Sequence, residues 1–241
     1  MLSAIPKCVR TFAARDSLQH IWRSNRLFAT MGGDSYTLKY FNFRVLGEPI
    51  RWQFALAGVP FTDQRIARDE AWDAEVKYKI GWGRLPLLVI GEKTEISQSA
   101  AISRHLATKY GLMPTNELHK TRCDELVDNL QDMRLLWRPY IRESDPVKKK
   151  ILEKEMVEVN FPFYLPRFED FIKKMGGKEG YAVGDSLTWA DLYLANFIEI
   201  WTDNHGKELI ASYPLLQQHM KKILDIPQIK EWNAKRPVTK F

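Results

Sequence analysis

The stretch from Arg84 to His105, RLPLLVIGEKTEISQSAAISRH, constrains this chain more than any other. Leu87, Leu88, Val89 and Ile90 follow a proline and form a short β-compatible run, and Gly91-Glu92-Lys93 supplies a turn. A return segment then reaches Ser97-Gln98-Ser99 at the head of a helix. Pro86 has no N–H to give at the entrance of a buried strand, and a cis Leu85-Pro86 bond in a tight approach is the usual accommodation. At the helix head, side-chain acceptors and backbone N–H groups without intrahelical partners favour a carboxylate or a phosphate. A backbone edge beside an anion site suits a small peptide with a free carboxylate.

The chain has 241 residues, 45% hydrophobic and 27% charged, enough for a sizeable core in one large domain or two small ones. No apolar run approaches the roughly 20 residues that span a bilayer, so no membrane association is expected. The net charge is +6, but residues 1–31 hold five basic side chains (Lys7, Arg10, Arg15, Arg23, Arg26) against one acid, Asp16. The remainder is nearly balanced, which argues against nucleic acid as a partner. Cys8 and Cys123 are the only cysteines and form neither a disulfide framework nor a zinc site; an intracellular chain without metal is expected.

Residues 1–34 read as a basic N-terminal extension. Arg15, Gln19, Arg23 and Arg26 can share one helix face and Leu18, Ile21 and Trp22 another, in the manner of a mitochondrial presequence. A plain tail, or an upstream extension bypassed by initiation at Met31, are the alternatives. Localisation is accordingly cytoplasmic, or mitochondrial if the extension works as a presequence. Tyr36 to Phe41 alternates as a strand, a helix starts at Gly47-Glu48-Pro49 and ends at Gly58, and Phe61 to Ile66 reads as a second strand. A weak helix in 69–79, then the central unit and its helix through Tyr110, complete the order βαβαββα. That order is thioredoxin-like, with a parallel first pair. The expected division is 35–112 for this α/β domain, 113–117 for a linker and 118–241 for an all-α domain broken at Asp145-Pro146, Gly176-Gly177, Gly180 and Tyr213-Pro214. Within it, Thr188-Trp189-Ala190-Asp191 is a structural capping box.

The segments YTLKYFNFR, LP followed by QSAAISRHL, GDSLTWADLYLA and IPQIKEWNAKRPVTKF together resemble a cytosolic glutathione S-transferase of the sigma class. That class includes nematode enzymes and is related to the glutathione-dependent prostaglandin D synthases. The resemblance implies glutathione as co-substrate and Tyr40 as the catalytic residue, although by itself a strand tyrosine reads as a core aromatic. It also implies a glutathione site made by Tyr40, Phe41, Trp72, Lys77, Leu85, Pro86, Gln98 and Ser99, with Asp132 reaching across a homodimer interface. Lys77 alone reads equally well as a solvated lysine, and Ser97-Gln98-Ser99 alone as an ordinary capped helix. The electrophile pocket is expected between the domains, near Phe43, Leu46, Met133 and Trp137. Leu46 stands where most sigma relatives carry a second arginine; either Arg44 or Arg51 compensates, or the two are an ordinary surface arginine and an ordinary helix-face arginine. The expected activity is conjugation of glutathione to hydrophobic electrophiles in detoxification. The alternatives are prostaglandin isomerisation or peroxide reduction with the same thiolate, and a non-catalytic binder of the same fold. Thiol-disulfide chemistry by the protein itself is not expected, since it would need a cysteine near Tyr40 and neither Cys8 nor Cys123 is there.

Overall fold

A computed structural model describes residues 34–239 and Phe241. The presequence reading lies outside these residues. The N-terminal part runs β1 (Tyr36–Phe41), α1 (Glu48–Ala57), β2 (Thr62–Ile66), α2 (Glu70–Ala74), a 3-10 turn (Val76–Lys79), β3 (Leu87–Ile90), β4 (Thr94–Ser97) and α3 (Ser99–Tyr110). The sheet order is β2-β1-β3-β4. Strand β1 is parallel to β2 across the α1 crossover and antiparallel to β3, with Leu38 opposite Leu88. The expected thioredoxin-like order is therefore present. Alternation explains β1: Tyr36, Leu38 and Tyr40 are buried while Thr37, Lys39 and Phe41 are half-covered. Tyr36, Leu38, Ile50, Phe54, Leu88, Ile102 and Leu106 form a compact core between the sheet and helices α1 and α3.

Helix α1 departs from the sequence expectation of a single apolar face. Every residue from Glu48 to Ala57 except Ala55 is buried, because Trp52 and Leu56 pack into a second, larger core on the opposite side. That core belongs to the helical part: α4 (Glu117–Arg142), α5 (Pro146–Glu155), α6 (Phe161–Met175), α7 (Trp189–His205), α8 (Pro214–Leu224) and α9 (Pro227–Lys235). Asp145 caps α5 through the N–H groups of Val147 and Lys148, and Pro214 opens α8, as the sequence breaks suggest. A π turn, Met156–Asn160, joins α5 to α6 and is not legible in the sequence. It immediately precedes Phe161-Pro162, where proline cannot donate to a regular helical ladder.

Helix α7 runs through the centre of this part. Its capping box is formed as expected: the Asp191 carboxylate accepts from Thr188 N–H and Oγ–H at 2.7 Å and from Ala182 N–H at 2.7 Å, and shares a 2.8 Å hydrogen bond with His219. Among the described residues no helix is long and apolar enough to cross a membrane.

The two parts are joined by ions as well as by apolar packing. Glu48, fully buried, accepts from Arg51 at 3.0 Å, Arg236 at 2.9 Å and the Trp232 indole at 2.8 Å. Arg236 continues to Glu199 at 3.1 Å. Burial pushes the Glu48 carboxyl up, but Arg51 and Arg236 outweigh it and hold the group below the usual carboxylate range. Folded protein thus binds this proton less tightly than unfolded chain. The stabilisation is complete above the unfolded value of about 4.3 and is lost as pH falls through the lower folded value. Glu199, pushed up by burial, acts in the opposite sense, so the comparison must be between variant and parent. Glu48→Gln is expected to cost about 3 kcal/mol at pH 7 and much less at pH 3, read by urea unfolding at both values. An equal loss at the two pH values would remove Glu48 from the acid transition.

Candidate active site

Tyr40 ends its strand facing the loop of residues 42–47, and that loop closes over it. The Leu46 N–H donates to the Tyr40 hydroxyl oxygen at 3.3 Å. The phenol therefore uses its oxygen toward the protein and keeps its proton for another acceptor. Burial raises the phenol above its ordinary value; the Leu46 N–H and then Arg134, Arg51 and Arg68 pull the other way without overcoming it. At neutral pH the group is a neutral donor.

The loop is pinned from the helical part. Asn196 on α7 donates to the Val45 carbonyl at 2.7 Å, and Arg44 N–H donates to the Phe241 carbonyl at 2.6 Å. Gly47 is required by close approach: a Cβ there would lie 2.5 Å from Cδ1 of Tyr40 and 3.0 Å from Nη1 of Arg51.

Neither arginine proposed from sequence as compensation for Leu46 is available as a free charge. Arg44 is buried and pairs with Asp203 at 2.7 Å and Glu199 at 3.5 Å. Arg51 pairs with Glu48 and with Asp63, each at 3.0 Å, and donates to the Phe43 carbonyl.

Leu85 lies just outside the β1-β3-β4 ladder, which begins at Leu87, and the Leu85-Pro86 bond is cis as expected, with Pro86 buried. Gln98 differs from expectation. It is the N-cap of α3 but no side chain caps that helix, and it holds φ +73°, the single positive value outside glycine among the described residues. Such a conformation costs about 1–3 kcal/mol and needs a reason. Here it leaves the first-turn amides of α3 without a side-chain acceptor, open to an anionic ligand.

Ser99 is buried, and its Oγ accepts from Gln131 Nε2 at 3.1 Å. Gln131 in turn accepts from Arg134 Nε at 2.8 Å. Beside this chain lies Tyr193, which shares a 3.2 Å hydrogen bond with Ser103 and is pushed up to about 12 by burial, against the hydroxyls of Ser103 and Ser99.

Trp72 is buried with its ring edge-on to Phe41 at 4.9 Å, which brings it to the same aromatic cluster as Tyr40. Lys77 lies half-buried on the 3-10 turn, its Nζ 5.1 Å from the Tyr78 ring. Phe43 and Leu46 are half-buried at the loop, with Phe43 edge-on to Phe241 at 6.2 Å. Met133 and Trp137 have no accessible surface, and the Trp137 indole donates to His205 Nε2 at 3.0 Å. They belong to the core of the helical part, so they can back a pocket wall without facing a ligand. The face of α4 that reaches the site carries Gln131 and Arg134, at i and i+3. Their polar spacing on a long helix was a readable signal, but it does not separate a site from a solvated face. Asp132 is exposed on another face, next to Leu135 and Leu136, and makes no hydrogen bond to the residues around Tyr40 within one chain.

Residues 36–108 match the N-terminal domain of glutathione S-transferases and residues 131–236 their C-terminal domain. A glutathione S-transferase of Anopheles gambiae is 35% identical over 207 residues, covering 85% of this chain and 98% of the relative. The solved structure of prostaglandin synthase D of Nilaparvata lugens superimposes with a TM-score of 0.75 at 36% identity, covering 85% of this chain and all of the other. A hookworm enzyme from Necator americanus, described as the monomeric glutathione S-transferase Na-GST-3, gives 0.76 at 32% identity over 86% of this chain and all of the other. The chain belongs to the glutathione S-transferase family, whose co-substrate is glutathione, and it is a transferase.

Gly47→Ala is expected to displace the Tyr40 ring and lower kcat/KM for a chloronitrobenzene acceptor by about 10- to 100-fold, the scale of an ångström-level misplacement of a reacting group. Unchanged kinetics in a variant that keeps its unfolding temperature would show that the close approach is not needed.

Proposed function

We propose that Tyr40 donates its hydroxyl proton to the glutathione sulfur and holds it as a thiolate for attack on hydrophobic electrophiles. The observation that carries this reading is the orientation of the phenol: buried, neutral, and accepting from the Leu46 amide, so that its own proton is free. Lowering a thiol from about 8.5 to about 6.5 requires about 2.7 kcal/mol of preferential stabilisation of the anion. A hydrogen bond to a charged group contributes roughly 1.5–3 kcal/mol, so one aligned phenol is nearly sufficient. The nucleophile then attacks with its electron pair, the new carbon–sulfur bond forms, and a leaving group or a developing oxyanion takes the displaced pair.

In this reading Leu85 offers backbone donor and acceptor to the cysteinyl portion of glutathione, beside Pro86. Gln98, Ser99 and the open amides of α3 take the γ-glutamyl portion, and Trp72 and Lys77 meet the glycine carboxylate with Phe41 lining the wall. The electrophile lies against Phe43 and Leu46. A prostaglandin D synthase activity is the second reading, favoured by the 36% identity to an insect protein bearing that name. The organisation proposed is an extension at 1–34, an α/β domain at 35–112, a linker at 113–117 and an all-α domain at 118–241.

A homodimer is the proposed assembly. Trp82 is 79% exposed and Tyr78 75%, and Leu135 and Leu136 are about half exposed beside Asp132. Exposed aromatics and an exposed apolar stretch of helix of this kind suit burial against a second copy. The cellular site proposed is the cytoplasm, or mitochondria if residues 1–34 act as a presequence; identical distributions of the full chain and one starting at Met31 would end the mitochondrial alternative.

The deciding measurement is the ultraviolet titration of bound glutathione. The thiol should titrate well below its free value in the parent and move back up in Tyr40→Phe, with kcat/KM at pH 6.5 falling by about 10- to 100-fold. Full activity in Tyr40→Phe would sink the assignment.

A further inference from the structure

A thiolate in a desolvated pocket calls for a cation whose charge is not already cancelled. A guanidinium paired with a carboxylate presents little net field, whereas a free one acts strongly at low dielectric. Three arginines act on the Tyr40 hydroxyl, and Arg134 is the strongest of them, ahead of Arg51 and Arg68. Arg51 shares its charge with Glu48 and Asp63. Arg68 is exposed and lies over the Phe41 ring at 5.6 Å, where water screens it.

Arg134 differs from both. It is half-buried on α4, its Nε is held by Gln131 Oε1 at 2.8 Å, and among the described residues no carboxylate pairs with it. Both Nη groups are therefore left for a ligand. The Gln131 amide ties this arrangement to Ser99 at the head of α3, so the guanidinium is oriented by the same residues that border the anion site. The charged and titratable groups around Tyr40 come from every neighbouring element: Arg51 on α1, Arg68 after β2, Arg134 on α4 and Tyr193 on α7. Arg138 adds a like charge behind Arg134. Burial lowers the Arg134 proton affinity, yet an arginine remains charged at any working pH.

We propose that Arg134, presented by the helical part, is the cation that stabilises the glutathione thiolate beside Tyr40, a charge the loop after β1 does not supply at Leu46. This rests on the reading of Tyr40 as the thiolate's hydrogen-bond donor. In the step concerned the S–H bond breaks, the proton leaves to water and the electron pair stays on sulfur, between the phenol and the guanidinium. Nothing is oxidised or reduced.

The test is the ultraviolet titration of bound glutathione in the parent, Arg134→Gln, Arg134→Met, Arg134→Lys and Tyr40→Phe. In either neutral variant the thiol pKa is expected to rise by about one unit, a tenfold loss of thiolate below that pH, with the pH profile of kcat/KM displaced equally. Arg134→Lys should recover most of the shift. A role confined to folding would lower the fraction of active protein and leave the profile where it was, which would overturn the assignment. If the parent thiol is depressed and Tyr40→Phe raises it while both neutral variants titrate like the parent, Arg134 fails and Tyr40 stands. A parent that binds glutathione with an unshifted thiol overturns both. Having two neutral side chains of different shape keeps the test decisive if one of them does not fold.

Discussion

A continuous ladder of charge, buried at Arg51, Glu48 and Arg44, holds the loop over Tyr40 in place. It runs from Asp63 through Arg51, Glu48, Arg236, Glu199 and Arg44 to Asp203, alternating in sign at each step. An isolated ion at the buried positions Arg51, Glu48 or Arg44 would carry a desolvation cost of several kcal/mol, so each of these depends on its neighbours. The consequence is positional. Glu48 and Arg51 lie on α1, Arg44 lies in the loop over Tyr40, and Glu199, Asp203 and Arg236 belong to the helical part. Fixing the ladder fixes the height of the loop above the sheet, and with it the Leu46 amide that sets the direction of the Tyr40 proton. The same pairing offsets the charges of Arg44 and Arg51 with carboxylates.

Most of the fold was legible because its signals are local. Alternation in YTLKYF, proline and glycine punctuation, and the threonine–aspartate box each report on a few consecutive residues, and each corresponds to an element in the structure. What escaped was set by tertiary packing. Helix α1 contains Arg51, Gln53 and Glu48, which on periodicity alone suggest a solvated face; they are buried because a second layer covers them and supplies partners from residues far along the chain, Trp232 and Arg236. The orientation of α4 was equally hidden. Residues 131–137 can be read with Met133 and Trp137 toward a ligand or toward a core, and only the position of α7 decides for the core. The resemblance to a family brought Tyr40 and the Gln98-Ser99 pair into view, but a family pattern says nothing of Arg134, which stands out only when the pairing of every nearby cation is known.

Two breaches of ordinary local rules concentrate around the site. Gln98 occupies a conformation that a side chain disfavours, and Gly47 leaves no room for a Cβ against Tyr40. Elsewhere the positive φ values fall on glycines. Local strain retained at a binding position, while the surroundings obey propensity, is the expected distribution when a site has been shaped against stability. The strain at Gln98 exposes donors at a helix start; the close approach at Gly47 seals one face of a phenol. In the reading proposed above, both present N–H or O–H groups to an anion.

The division of labour between the two parts of the chain follows from one conflict. Burying Tyr40 strengthens any hydrogen bond it gives, since fewer waters compete, but the same low dielectric opposes the formation of an anion next to it. A neutral donor goes most of the way, but it offers a dipole where a charge has lost its hydration. The α/β part is poorly placed to add the charge, as its arginines in the loop and α1 are committed to holding the loop itself. A cation carried on α4 avoids that competition: it belongs to a different element and is oriented by an amide in place of a carboxylate. Positioning by paired arginines and charge stabilisation by an unpaired one can then be tuned independently, which a single arginine in the loop would not allow.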